Sequence, residues 1–214
     1  MRPRVWAASL GVVAATLLAL TGPTGAPAPA AAATTQPRVA LQSLSFVPAL
    51  AKAACPVERG PVKEGSDADK GKVATTVTAT TITRLSNKAK PSSYPTNARI
   101  APVELHKYLL RHVILRQYRI EDDGDIHLVL ADGHGHHMIA EIPHHVCTAG
   151  SRWRSAIASA RSVFTSTLPV STDWHYVSRR VSIRGVGFFD IRHGQTGVAA
   201  NGIELHPVTR VRFG

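Results

Sequence analysis

Along the C-terminal half of the chain, apolar and polar positions follow a period that changes in an ordered way. Residues 104–121 hold Tyr108, Val113, Leu115, Tyr118 and Ile120, a β-branched and aromatic run long enough for a strongly bent strand, with a helix over 103–113 as the competing assignment. Asp122-Asp123-Gly124-Asp125 reads as a turn. Ile126, Leu128 and Leu130 then alternate with Asp125, His127 and Val129, as in a half-buried strand. A Gly-rich turn, Asp132-Gly133-His134-Gly135, leads to a return strand from His137 to Ile142 that Pro143 stops. From 151 to 166 the period lengthens: Trp153, Ile157, Ala160, Val163 and Phe164 recur at helical spacing, with Ser151 placed as an N-cap. Strands return at 179–189 and 203–213, joined by the glycine-rich loop 192–202.

Three strands, a helix and two strands make a mainly β, α+β chain. That order is the one used by the OB fold, a five-stranded Greek-key barrel with one helix between strands 3 and 4. A half-open sheet of the same order is the alternative. The OB-like β domain is expected over 98–214.

The N-terminal half reads differently. Arg2 and Arg4 precede an apolar run from Val5 to Leu20 and a small-residue stretch ending at Ala33, the pattern of a signal peptide over 1–33. A retained anchor is the competing assignment, but the run is short of the ~20 residues a spanning helix needs. No other stretch is apolar enough to span, so the mature chain is expected to lack a transmembrane helix and to be secreted. Residues 34–54 read as a low-complexity leader and 55–97 as a coil-rich arm that packs on the domain without a core of its own.

Cys55 and Cys147 are the only two cysteines, and in an exported chain the pair is expected to be a disulfide tethering the arm to the domain. Removing residues 1–33 leaves 23 of the 25 basic residues against 14 acidic ones, a formal charge of +9. Such an excess favours nucleic acid or an anionic cell-envelope polymer as partner without choosing between them.

Six of the eleven histidines fall between 127 and 145, without the spacing of a zinc-protease helix or a paired-cysteine site. His134, His136, His144 and His145 read as turn residues. More specific is the parity of the strands. Asp125 and His127 lie opposite the core stripe of their strand, facing solvent or a cleft, and Glu204 and His206 likewise share one face of the last strand. With Glu141 and His193 they form a candidate set: Glu141, His193, Glu204 and His206 for acid/base work, and Asp125, His127, His193 and His206 for a divalent metal, zinc or calcium. Arg179, Arg180, Arg184 and Arg210, with Trp174 and Tyr176 in a loop, form a candidate polyanion-binding set.

Two resemblances bear on this. Gly185-Val-Gly-Phe-Phe-Asp190, His193-Gly-Gln-Thr-Gly197 and Asn201-Gly-Ile-Glu-Leu-His-Pro-Val208, with an Asp-x-His-Leu-Val-Leu strand upstream, resemble the C-terminal motif of an uncharacterised secreted bacterial protein family over residues 55–214. That implies a shared fold and no activity. More loosely, Asp123-Gly124-Asp125 and the hairpin ending at Pro143 are similar to the OB-fold staphylococcal-nuclease family, calcium-dependent phosphodiesterases in which Asp125 would match a metal-binding aspartate. The arginine that family carries on its third strand has no counterpart between His136 and Pro143, and its glutamate after the proline is replaced by His144. Two function classes therefore stand at this point: a metal-dependent hydrolase (phosphodiesterase or nuclease), or a non-catalytic OB-type binding module.

Overall fold

The computed structural model describes residues 55–214. The expected signal peptide and leader lie outside the described residues. None of the described helices is long and apolar enough to cross a membrane.

The chain is mainly β with few helices. In the arm are α1 (Gly60–Glu64), β1 (Val77–Thr80) and α2 (Ile82–Ser86). The remainder comprises β2 (Lys107–Ile120), β3 (Ile126–Ala131), β4 (His137–Ile142), α3 (Arg154–Thr167), β5 (His175–Phe189) and β6 (Ile203–Phe213). The strands form one six-stranded sheet ordered β1-β2-β3-β4-β6-β5, with a further pairing of β2 to β5. Five strands were expected. The sixth, β1, runs parallel to β2 from Val77 opposite Lys107 to Thr80 opposite Leu110. Its four residues are mostly exposed and pair through the backbone, so no alternating apolar signal marks them.

β2 carries the core residues Tyr108, Leu110, Val113, Leu115 and Tyr118. Their spacing of two, three, two and three follows two register shifts against β5, which let one strand bend while keeping its apolar face inward. The competing helix is confined to a short 3-10 turn, Val103–Leu105. Inward residues of β3 (Ile126, Leu128, Leu130), β4 (Met138, Ala140, Ile142) and β6 (Ile203, Leu205, Val208, Val211) complete the core, and α3 closes it with Ile157, Ala160 and Phe164. Each large apolar side chain buried there contributes about 1.5–3 kcal/mol.

Ser151 does not cap α3. Trp153 occupies the cap position without a side-chain bond, and the Ser151 hydroxyl accepts from the Trp153 N–H at 3.1 Å. β5 begins four residues earlier than expected, so His175 and Tyr176 are strand residues paired with Tyr118 and Gln117, not loop residues. Their weak apolar pattern conceals this, because Tyr176 is 76% exposed.

The arm is more structured than its composition implied. Ile82 and Leu85 join the main core. Arg59 is fully enclosed: its guanidinium donates to both Glu104 carboxylate oxygens, at 2.7 and 2.8 Å, and to the Phe189 carbonyl at 2.7 Å. Glu104 in turn accepts from the Phe189 and Ile100 N–H groups, so this buried pair is hydrogen-bonded on both sides. A second buried pair, Arg99–Asp67 at 2.6 Å, pins the following turn. Cys55 and Cys147 form a disulfide across 92 residues, a constraint on the unfolded chain of about 4–5 kcal/mol.

Candidate functional site

β3, β4 and β6 present their second face to the arm and to the 190–202 loop. Glycine allows the close fit on the loop side: Gly197 has φ +84°, and a Cβ there would sit 2.5 Å from Val129 Cγ1. Parity correctly separates Asp125, His127, Glu141, Glu204 and His206 from the core stripe. It does not foresee that this face is covered. Asp125, His127, Glu204 and His206 are all at most 1% exposed, so of the two alternatives, solvent or a cleft, open solvent is excluded.

Register brings the cluster together. His127 is directly opposite Glu141 in the β3–β4 pair, and β4 runs parallel to β6 with Ala140 opposite Leu205, so Glu141 and His206 follow as neighbours. His127 Nδ1 lies 2.9 Å from Glu141 Oε1 and 3.3 Å from Glu121 Oε1. His206 Nδ1 lies 3.1 Å from Glu141 Oε2, and its Nε2 lies 3.2 Å from Asp125 Oδ2. The Asp125 Oδ1 accepts the His144 N–H at 2.7 Å, tying the start of β3 to the turn after β4.

These contacts define the charges. His127 Nε2 faces the Thr196 carbonyl at 3.0 Å, which only accepts, while Nδ1 faces two carboxylates. The ring therefore donates from both nitrogens and is an imidazolium. Burial alone would push His127 down, but Glu121 and Glu141 outweigh it and raise it to about 10. His206 follows the same pattern, with burial opposed by Asp125 and Glu141, and reaches about 10. Glu141, despite burial, is held well below the usual carboxylate range by the hydrogen bond from His127 and by the charge of His206, whose Nδ1 faces it without a hydrogen bond. Asp125, His206, Glu141, His127 and Glu121 thus alternate acid and imidazolium across the sheet.

Glu204 lies beside this chain but outside it. Its Oε2 is buried without a hydrogen-bond partner, and burial, then Glu141 and Asp190, push its carboxyl well above the usual range. Asp123, on the turn before β3, is raised to about 6 by burial and by Asp125. Lys63 of α1 reaches over β6 to Asp190 at 3.4 Å. Burial opposes its charge, yet Asp190, Glu141 and Glu204 raise it above the ordinary ammonium value.

A cleft of about 320 Å³ opens over Glu141 and Glu121, rimmed by Lys63, Arg119, Trp174 and His193. Trp174 stands edge-on to His127, with centroids 5.5 Å apart, and Arg119 lies 4.9 Å over the indole. His193 is exposed at the mouth, its backbone N–H donating to Gln195 Oε1, and it does not join the buried cluster. Glu204 does not line the cleft. Besides Glu64 with the disulfide-bonded Cys55 and Cys147, two sets of side chains place ligand atoms within 4.8 Å of one another: Asp125, Glu141 and His206, and Glu121, His127 and Glu141. The turn histidines His134, His136, His144 and His145 belong to neither.

Glu121, Lys63 and Arg119 were not singled out from sequence. Glu121 falls at the end of the strand expected over 104–121, where nothing in the pattern marks its side chain as part of a site. Lys63 lies 78 positions before Glu141 with no pattern to link them. Arg179 and Arg180 are exposed and Arg184 and Arg210 lie on paired strands away from the cleft, as does Tyr176.

No family model and no curated protein matches the chain. Among solved structures it is similar, at TM-score 0.39 and 13% identity, to a chain assigned as an aspartyl-tRNA synthetase from Leishmania major Friedlin. The similarity covers 66% of this chain and 21% of that one.

Proposed function

We propose that β2 to β6 form an OB-type barrel and that the chain is an exported, divalent-metal-dependent phosphodiesterase acting on nucleic acid. The pairings β2–β3, β3–β4, β4–β6, β6–β5 and β5–β2 form a closed ring in the OB order, with α3 between the third and fourth strands. In that fold, ligands bind on the face of the second and third strands and in the loop between the fourth and fifth. Those elements here are β3, β4 and 190–202, which supply His127, Glu141, Thr196 and His193.

The observation that carries the reading is a buried Asp125, Glu141 and His206 set at ligand distance, whose Glu141 opens into a cleft lined by Lys63 and Arg119, each paired there with a carboxylate, Asp190 and Glu121. Two carboxylates and one imidazole suit zinc better than calcium, which prefers an all-oxygen shell. A metal bound there supplies Lewis-acid polarisation and an activated water. Arg119 and Lys63 would neutralise the phosphate, Trp174 would offer a face for a base, and His193, free at the mouth, would protonate the leaving oxygen. Glu204, outside the cleft, is a wall residue and not a substrate contact.

The full chain, supplied with zinc, is expected to hydrolyse single-stranded DNA and bis(p-nitrophenyl) phosphate. Glu141→Gln and His206→Ala should each lose about 100-fold or more in turnover, while His193→Ala should lose less on the activated ester than on DNA. Absence of turnover with any divalent metal, or undiminished turnover in Glu141→Gln, contradicts the proposal.

A further inference from the structure

A second basic feature lies toward the other end of β6. Arg212 is six residues beyond His206, about 20 Å along an extended strand. Here a groove of about 670 Å³ runs over the sheet, lined by Arg111 and Leu109 of β2, Arg184 of β5, and Arg210, Arg212 and Phe213 of β6. No Asp or Glu side chain lines it, and none of its four guanidinium groups forms an ion pair among the described residues.

The like charges are built into the register. Arg184 and Arg210 stand directly opposite each other in the β5–β6 pair, an arrangement that costs stability when no anion lies between them. Lys107, near Arg184, is held below its usual ammonium range by burial and then by Arg184 and Arg152. The register shift between Leu110 and Val113 adds to the concentration of charge. It places His112 in the left-handed region at φ +52°, an uncommon conformation for a residue with a side chain, and turns both Arg111 and His112 toward the groove.

The groove also has an apolar component. Phe213 packs against Phe164 at 5.9 Å and lines the groove, with the Arg179 guanidinium 6.0 Å over its ring. Leu109 of β2 also lines the groove. A polyol-phosphate polymer or a lipid headgroup layer would satisfy the arginines but leave a concave apolar floor unused. An unstacked base satisfies both.

We infer that this groove is a second binding site, separate from the acid–histidine cleft, which takes single-stranded nucleic acid with Arg111, Arg184, Arg210 and Arg212 on the phosphates and Phe213 against a base. It rests on no part of the metal reading.

The test is fluorescence anisotropy of the full chain with a labelled oligothymidylate over a salt series, with folding monitored by circular dichroism. Arg184→Ala/Arg210→Ala should weaken binding about tenfold and lower the slope of log affinity against log salt by about 0.7 per arginine. Arg154→Ala, which removes an exposed charge of α3 that lines neither the groove nor the cleft, should bind like the parent. An oligonucleotide carrying 5-iododeoxyuridine should photo-cross-link to Phe213. Should the first pair fail to fold, Arg111→Ala/Arg212→Ala, on exposed positions, gives the same readout. Unchanged affinity and slope in the arginine pair, an equal loss in Arg154→Ala, or capture of phosphatidylglycerol vesicles without oligonucleotide binding would each overturn the inference.

Discussion

Glu141 is the residue on which the site turns, because its two carboxylate oxygens each face a different imidazole, one from β3 and one from β6. That explains how so many ionisable groups remain enclosed: acid and imidazolium alternate, so no charge lacks a counterion. The same logic holds in the arm, where the enclosed Arg59 depends on Glu104. Glu104→Ala removes one partner and leaves a buried guanidinium uncompensated. It is expected to destabilise the chain by about 3–5 kcal/mol in urea denaturation. A loss under about 1 kcal/mol would mean that Arg59 had found solvent, and that the arm is not held as described.

At the scale of elements, the cover of the site is made by α1 and by the 190–202 loop, and the loop's glycines do different work. Gly197 has a positive φ and also presses on Val129, whereas Gly194, at φ +95°, has no neighbour within 4 Å. Gly194→Ala should therefore cost only backbone strain, of order 1 kcal/mol. Gly197→Ala should cost more, about 2–3 kcal/mol, and speed hydrogen exchange around Thr196. Equal effects would show that the close approach to Val129 is unimportant.

Alternation made the strands β3, β4 and β6 legible almost to the residue, because each has an apolar stripe on one face. It also put Asp125, His127, Glu204 and His206 on the correct side. What it could not convey is what lies over that side, since Lys63 and Arg59 reach it from an arm whose composition resembles coil. β1 was illegible for a related reason: an exposed strand held by backbone bonds leaves no apolar trace.

For the molecule as a whole, the raised histidines set the direction of pH dependence in metal-free protein. A histidine raised from 6.5 to about 10 stabilises fully below pH 6.5 and loses that contribution as pH rises toward 10. Glu204, raised above 4.5, likewise disfavours the fold as pH rises, while the lowered Glu141 contributes stability that is lost below about 4.5. Stability measured in chelator should therefore peak between about pH 4.5 and 6.5 and decline toward pH 10. A flat or rising profile over that upper range would show that the imidazoles are neutral in the fold. The disulfide adds stability that does not depend on this network, so the decline should be visible without reduction. Metal competes for the same ring nitrogens and displaces their protons, which makes its binding tighter as pH rises. The most direct measurement is the metal content of the full chain after equilibration with zinc at pH 8 and exhaustive dialysis. About one zinc per chain in the parent, lost in Glu141→Gln and His206→Ala, is the result this arrangement predicts; no more zinc in the parent than in those variants would contradict it.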